Sequence, residues 1–282
     1  MRSRLLHIFL TLALATAFCL PAAAQIVTVD KDEWDADSIR RELDKRPYFG
    51  LYKDNYFTVG TTLGGTPTVH NSDVKFQISI QQRLTDAVLP GHSYLYLFYS
   101  QKSMWNVFEE SMPFHDLNFN PGIGLSRHLI IKGRLVGKTT LMLEHESNGR
   151  DSLDSRSWNK ISIAAEAYIS PFLMAHAKFW IPIVDGENNR DILKYSGIYQ
   201  GGFQARTYDN KWVFDMTLVK RRGWNLNFNT IVQVGYRINR HSNQFLMLQY
   251  YNGYGENLLD YNQFHSRLRI GLLIRPRVFS DF

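Results

Sequence analysis

Cysteine is nearly absent. The chain has one, Cys19, and it lies in an N-terminal apolar run with Phe18 before it, so neither a disulfide framework nor thiolate chemistry is available to the body of the protein, and a lipoprotein cleavage site is excluded. Long apolar runs are missing too. No segment reaches 18 consecutive apolar residues, which excludes a spanning helix. Charge of one sign is also lacking: 32 Lys and Arg stand against 26 Asp and Glu. So mild an excess suits an anionic membrane surface better than it suits nucleic acid. Beyond Asn55 no helix-period stretch of useful length occurs either.

What is present begins with Met1-Arg2-Ser3-Arg4, an apolar run from Leu5 to Leu20 and the small residues Ala22, Ala23 and Ala24. This is the order of a secretory signal peptide, expected to span residues 1–24. Its removal takes away Arg2 and Arg4, lowering the formal net charge from +6 to +4, and leaves 258 of 282 residues, a normal size for one closed barrel. A polar, acid-rich stretch follows, and residues 25–54 are expected to form a periplasmic segment outside the barrel.

From residue 55 to 282 the chain reads as short alternating segments separated by turn residues. The clearest is Lys75-Phe76-Gln77-Ile78-Ser79-Ile80-Gln81, and others begin near Tyr56, His92, Asn120, Gly137, Trp158, Phe172, Ser196, Lys211, Asn225, Gln244 and Ser266. Aromatic residues are abundant (18 Phe, 15 Tyr) while mean hydropathy is −0.27, as expected of strands with one apolar and one polar face. Twelve segments, an even number, with an aromatic last residue, Phe282, predict an all-β, transmembrane antiparallel β-barrel of about twelve strands; a soluble sandwich or barrel alternates in the same way. If the chain enters a membrane it must close on itself, because open edges leave backbone groups unpaired in hydrocarbon.

The stretch that carries chemistry runs from Leu141 to Ile163. Alternation places His145 and Ser147 on the face of Leu141 and Leu143, and Asn159 on the face of Ile161 and Ile163, all three outward if the leucines face lipid. Polar side chains on such a wall are costly without a purpose. A serine hydroxyl, an imidazole base and an acceptor that fixes the imidazole tautomer are the parts of nucleophilic catalysis. Glu144, Glu146 and Glu166 fall on the other face, where ion pairs with arginines are expected. Trp158, Trp180 and Trp224 are candidates for aromatic girdles, and His176, His241 and His265 lack metal-ligand spacing.

The run from His145 to Asn159 (His, any residue, Ser, Asn, Gly, Arg, then Ser-Arg-Ser-Trp-Asn) resembles the motif of the bacterial outer-membrane phospholipase A family. Further similarity lies in Gln101–Trp105, in Pro113-Phe114 followed by Asn118-Phe119, in Asp191–Tyr195 and in Tyr254–Asn262. The resemblance covers about Asn55 to the C-terminus. It implies a twelve-stranded barrel that dimerises in the Gram-negative outer membrane and, with calcium, hydrolyses the sn-1 and sn-2 acyl esters of phospholipids and lysophospholipids. It further implies Ser147 as nucleophile, His145 as base, Asn159 as orienter of the imidazole, and the Gly149 N–H with a calcium-bound water as oxyanion donors. Calcium oxygen ligands would be the Arg150 carbonyl, the Ser155 side chain and the Ser111 carbonyl of a second copy. A further acidic ligand of the family falls at Asn188, a departure, with Asp185 and Glu187 nearby; Asp151 and Asp154 are read as a solvated loop. The other readings are a non-enzymatic pore or structural barrel, and a lipid A deacylase.

Overall fold

The computed structural model describes residues 35–184, 186–240, 242–276 and 281. The expected signal peptide, Phe282, Asp185 and His241 lie outside these. A helix α1 (Ala36–Asp44) and a short strand β1 (Phe49–Leu51) precede β2 (Asn55–Thr62), β3 (Ser72–Arg83), β4 (Ser93–Trp105), β5 (Phe114–Ile131), β6 (Arg134–Ser147) and β7 (Ser157–Ser170). Then come β8 (Leu173–Ile183), a one-turn helix α2 (Leu193–Ser196), β9 (Tyr199–Arg206), β10 (Trp212–Lys220), β11 (Phe228–Arg237), β12 (Gln244–Gly253) and β13 (His265–Ile274). Each strand from β2 to β13 pairs antiparallel with its sequence neighbours, and β13 pairs back onto β2 with Leu272 opposite Phe57. The result is a closed barrel of twelve strands with no free edge, as the alternation predicts.

Alternation sorts the side chains. Leu141, Leu143 and Ile163 point outward with 52%, 58% and 54% of their surface uncovered, while their neighbours Met142, Glu144 and Ser162 are buried inside. The outer wall is an apolar band, as hydrocarbon requires. The inner wall is polar and held by ion pairs, because charges removed from water must be paired. Glu144 pairs with Lys178 at 2.7 Å, Glu146 with Lys160 at 2.8 Å and Glu166 with Lys138 at 3.2 Å. The partners of these three glutamates are thus lysines, where arginines are expected from the sequence. Arginine serves elsewhere in the lumen: Arg269 bridges Asp73 and Glu256, and Arg275 bridges Asp54 and Asp215. A cavity of about 310 Å³ remains between these groups.

Three features differ from expectation. β5 starts at Phe114, six residues before Asn120, because pairing with β4 continues past the polar residues His115 to Asn120 and through Pro121, which lies opposite Tyr99. Trp158 and Trp180 are buried inward and do not join a girdle; they pack with Ile192, Leu258 and Tyr261 under the loops 184–198 and 254–264, while Trp224 is fully exposed in the loop 221–227. Residues 49–54 are not clear of the barrel. β1 pairs with β3, Tyr52 is buried against Phe98 with ring centroids 4.4 Å apart, and Arg83 donates to the carbonyls of Leu43, Asp44 and Arg46.

The connections at 132–133, 171–172 and 207–211 are tight and share one end of the barrel with the longer 84–92, while 106–113, 148–156, 184–198 and 254–264 share the opposite end. Short turns face the periplasm and long loops face outward in barrels of this kind.

Candidate active site

In the β6–β7 register His145 lies directly opposite Asn159, Leu143 opposite Ile161 and Ser147 opposite Ser157. Directly opposed residues share a face of the sheet. His145, Ser147 and Asn159 therefore continue the row of exposed leucines and isoleucines to the loop end of the wall. All three are partly exposed. The His145 Nδ1 lies 2.8 Å from the Asn159 Oδ1. With the amide oxygen accepting, Nδ1 carries the proton and Nε2 keeps its lone pair. Phe119 of β5 lies opposite Ser147 on the other side, so an aromatic ring borders the serine on this outer wall.

Immediately after Ser147 the chain leaves the sheet. Gly149 takes φ +64°, the left-handed region in which side chains are strained, and a Cβ there would stand 2.9 Å from the Phe119 ring. The loop passes through a 3₁₀ turn, Ser152–Asp154, and returns at Ser157. Asn148 closes it. This residue is buried, its N–H donates to the Arg156 carbonyl, its Nδ2 donates to the Asp154 carbonyl at 2.9 Å, and its Oδ1 accepts from the Arg156 N–H at 2.9 Å. The loop 184–198 supports it from outside: Asn189 both donates to the Ser157 carbonyl and accepts from its N–H, and the Asn188 Nδ2 donates to the Ser152 carbonyl at 2.7 Å.

The residues expected to hold a cation divide between two loops at the same barrel end. Arg150 and Ser155 lie in the loop 148–156, and among the described residues neither the Arg150 carbonyl nor the Ser155 hydroxyl is taken up by a hydrogen bond. The Arg150 side chain is drawn back, its Nη2 donating to the His115 carbonyl at 2.5 Å, with Asp154 and Asp116 within 4 Å. Free hard oxygens beside Asp151 and Asp154 fit calcium. No cluster of three His, Cys, Asp or Glu residues forms among the described residues. Ser111 lies in the loop 106–113, exposed and at φ +64°, followed by Met112 at φ +45°. Trp105 steadies that turn by donating to the Met112 carbonyl. Asn188 serves as a hydrogen-bond donor to the loop.

Electrostatics near the loops are set by Asp116, Asp260 and His115. Asp116 accepts from the N–H groups of Leu258 and Leu259 and so anchors the loop 254–264 to the start of β5. Burial alone would raise the Asp260 carboxyl, but the hydrogen bond and charge of His115 outweigh it and hold Asp260 below the usual carboxylate range.

Sequence reasoning gave no role to Asn148, Asn189 or Phe119, although Asn148 and Phe119 fall in stretches similar to the family. For Asn148 a signal was present, since an asparagine between a strand end and a glycine commonly bonds to nearby backbone. For Asn189 there was none, because its partner is 32 residues away.

The phospholipase A1 family model matches residues 51–274. Phospholipase A1 of Salmonella typhimurium is 29% identical over 92% of this chain and 95% of its own length, and that of Escherichia coli K12 is 31% identical over 72% and 69%. Among solved structures, the Salmonella typhi outer membrane phospholipase dimer with bound calcium superposes with a TM-score of 0.72 at 27% identity, covering 84% of this chain and 96% of that one. An active-site mutant of the Escherichia coli outer membrane phospholipase A, with an asparagine replaced by alanine, gives 0.70 at 28% identity over 82% and 93%.

Proposed function

The chain belongs to the phospholipase A1 family and is an outer-membrane β-barrel, and from that premise we propose that it hydrolyses sn-1 and sn-2 acyl esters of phospholipids and lysophospholipids with Ser147, His145 and Asn159, using calcium and acting as a homodimer. The observation that carries this reading is the 2.8 Å contact between His145 and Asn159, with Ser147 two residues further along the same lipid-facing row.

The Asn159 oxygen fixes the imidazole tautomer, leaving Nε2 to accept the Ser147 proton as Oγ attacks the ester carbonyl. The imidazolium then gives that proton to the departing lysophospholipid oxygen, and an acyl-serine ester remains. Water attacks this ester with the same imidazole as base, fatty acid leaves, and the Ser147 hydroxyl is restored. An asparagine leaves the imidazolium without a counter-charge but avoids holding a carboxylate beside hydrocarbon, which would cost more. The Gly149 N–H donates to the oxyanion. The Arg150 carbonyl, the Ser155 hydroxyl and the Ser111 carbonyl of the second copy would hold calcium, which when bound would supply positive charge to polarise the ester carbonyl.

The test is fatty acid release from phospholipid in detergent, with calcium or with excess chelator, for the folded protein and for Ser147→Ala. We expect release that needs both calcium and Ser147, with a loss of about 10³-fold or more in the variant. Equal rates for the two proteins would reject Ser147 as nucleophile, and hydrolysis of lipid A in place of phospholipid would reject the substrate class.

A further inference from the structure

We infer that Asn148 is a positioning residue that holds the loop 149–155 in its ligand-presenting shape before a cation arrives, an inference that rests on the calcium-dependent reading above. Asn148 is 3% exposed, although Gly149 and Arg150 beside it lie at the surface. Its side chain is committed to loop backbone. Nδ2 donates to the Asp154 carbonyl at 2.9 Å, and Oδ1 accepts from the N–H of Arg156 at 2.9 Å and from that of Arg150 at 3.4 Å.

A peptide unit is planar, so a directional hydrogen bond to its carbonyl or N–H restrains the whole unit. The Asp154 carbonyl belongs to the unit entering Ser155, and the Arg156 N–H belongs to the unit leaving it. One amide therefore clamps both peptide planes around the Ser155 hydroxyl. The same amide reaches the N–H of Arg150, whose carbonyl is the other ligand on this loop. Ser155 itself donates its N–H to the Ser152 carbonyl at 3.2 Å, and Asn188 holds that carbonyl from the far side. Because the loop is ordered by the chain's own bonds, a cation need not supply the cost of ordering it.

This makes a prediction opposite to that of charge alone. In Asn148→Asp the acceptor for Arg156 is kept, but the donor to the Asp154 carbonyl is lost and a carboxylate faces that oxygen. Added negative charge beside a cation would tighten binding; loss of the clamp loosens it.

The experiment uses the full chain folded in detergent as wild type, Asn148→Asp, Asn148→Ala and, as control, Trp224→Ala in a different loop. Calcium is titrated by calorimetry, and in chelator trypsin cleavage after Arg150 and Arg156 is timed. We expect the half-saturating calcium concentration to rise about 10- to 100-fold in both Asn148 variants, with nicking at Arg150 faster by about tenfold and Trp224→Ala unchanged. Wild-type calcium affinity in the variants, tighter binding by Asn148→Asp, or unaltered nicking would each overturn the inference. If the wild type binds no calcium, the metal in the proposed function falls, while the nicking rates still decide the clamp. Should the variants not fold, hydrogen exchange on the wild type in chelator decides instead: the Arg156 N–H must be protected relative to that of Asp151, and equal exchange refutes the clamp.

Discussion

Gly149 concentrates the demands of the site in one residue. It follows the serine and asparagine that end β6, turns the chain through φ +64°, and passes within van der Waals reach of Phe119. A methyl group there adds left-handed strain of roughly 1–2 kcal/mol and a contact of 2.9 Å with the ring. We expect Gly149→Ala to lower the rate of fatty acid release by about tenfold or more, since each 1.4 kcal/mol lost from the transition state is roughly a factor of ten. The barrel's melting temperature should move little, because the strain is confined to a loop. Adding Phe119→Ala relieves the clash but not the strain, so the double variant should recover part of the activity. Steady-state rates on the three proteins, with melting curves beside them, check this; no recovery would assign the whole effect to the backbone.

At the scale of an element, each strand is a two-sided object whose sides cannot be exchanged. On β12, Leu248 faces out opposite Ile270 and Val234, and its neighbours Met247 and Gln249 are buried. Leu248→Arg places a charge near the middle of the lipid-facing wall and should cost about 2–4 kcal/mol, read as a lowered denaturant midpoint on unfolding from phospholipid vesicles. A cost near zero would mean that this wall does not face hydrocarbon. The same rule accounts for the two tryptophans. Trp158 precedes the outward Asn159 and Trp180 lies between the outward Phe179 and Ile181, so alternation already sends both inward, against the girdle expected from residue type. Lysine as partner of Glu144, Glu146 and Glu166 follows from the register of neighbouring strands: Lys138 stands directly opposite Glu166 and Lys160 opposite Glu144 in the β6–β7 pair, with Lys178 one strand further on β8.

For the whole molecule the question is whether one barrel is a complete enzyme. Ser111 is exposed at the loop end, on a turn held by Trp105, and the proposed ligand set draws its carbonyl from a second copy. Activity should then follow dimer formation. In detergent, raising calcium should increase the crosslinked dimer and fatty acid release together over the same range, and chelator should reverse both. Full activity in a population shown by sedimentation to be monomeric would refute the shared site.

Alternation by itself determined the number of strands and the common face of His145, Ser147 and Asn159, because a period of two is a local property that every residue reports, whereas closure follows from it only for a chain that enters a membrane. The motif from His145 to Asn159 likewise marked the candidate chemistry, since its members lie within one hairpin. Only the tertiary structure decided what depends on the register and on contacts across the barrel: that His145 stands opposite Asn159, that Asn189 braces Ser157, that Arg269 and Arg275 pair with Asp73, Asp54 and Asp215 far away in sequence, and that Tyr52 and Asp54 enter the barrel. The physical reason is range. Strand alternation and short motifs are written in consecutive residues, whereas a brace or an ion pair across the lumen exists only once closure has brought distant strands together.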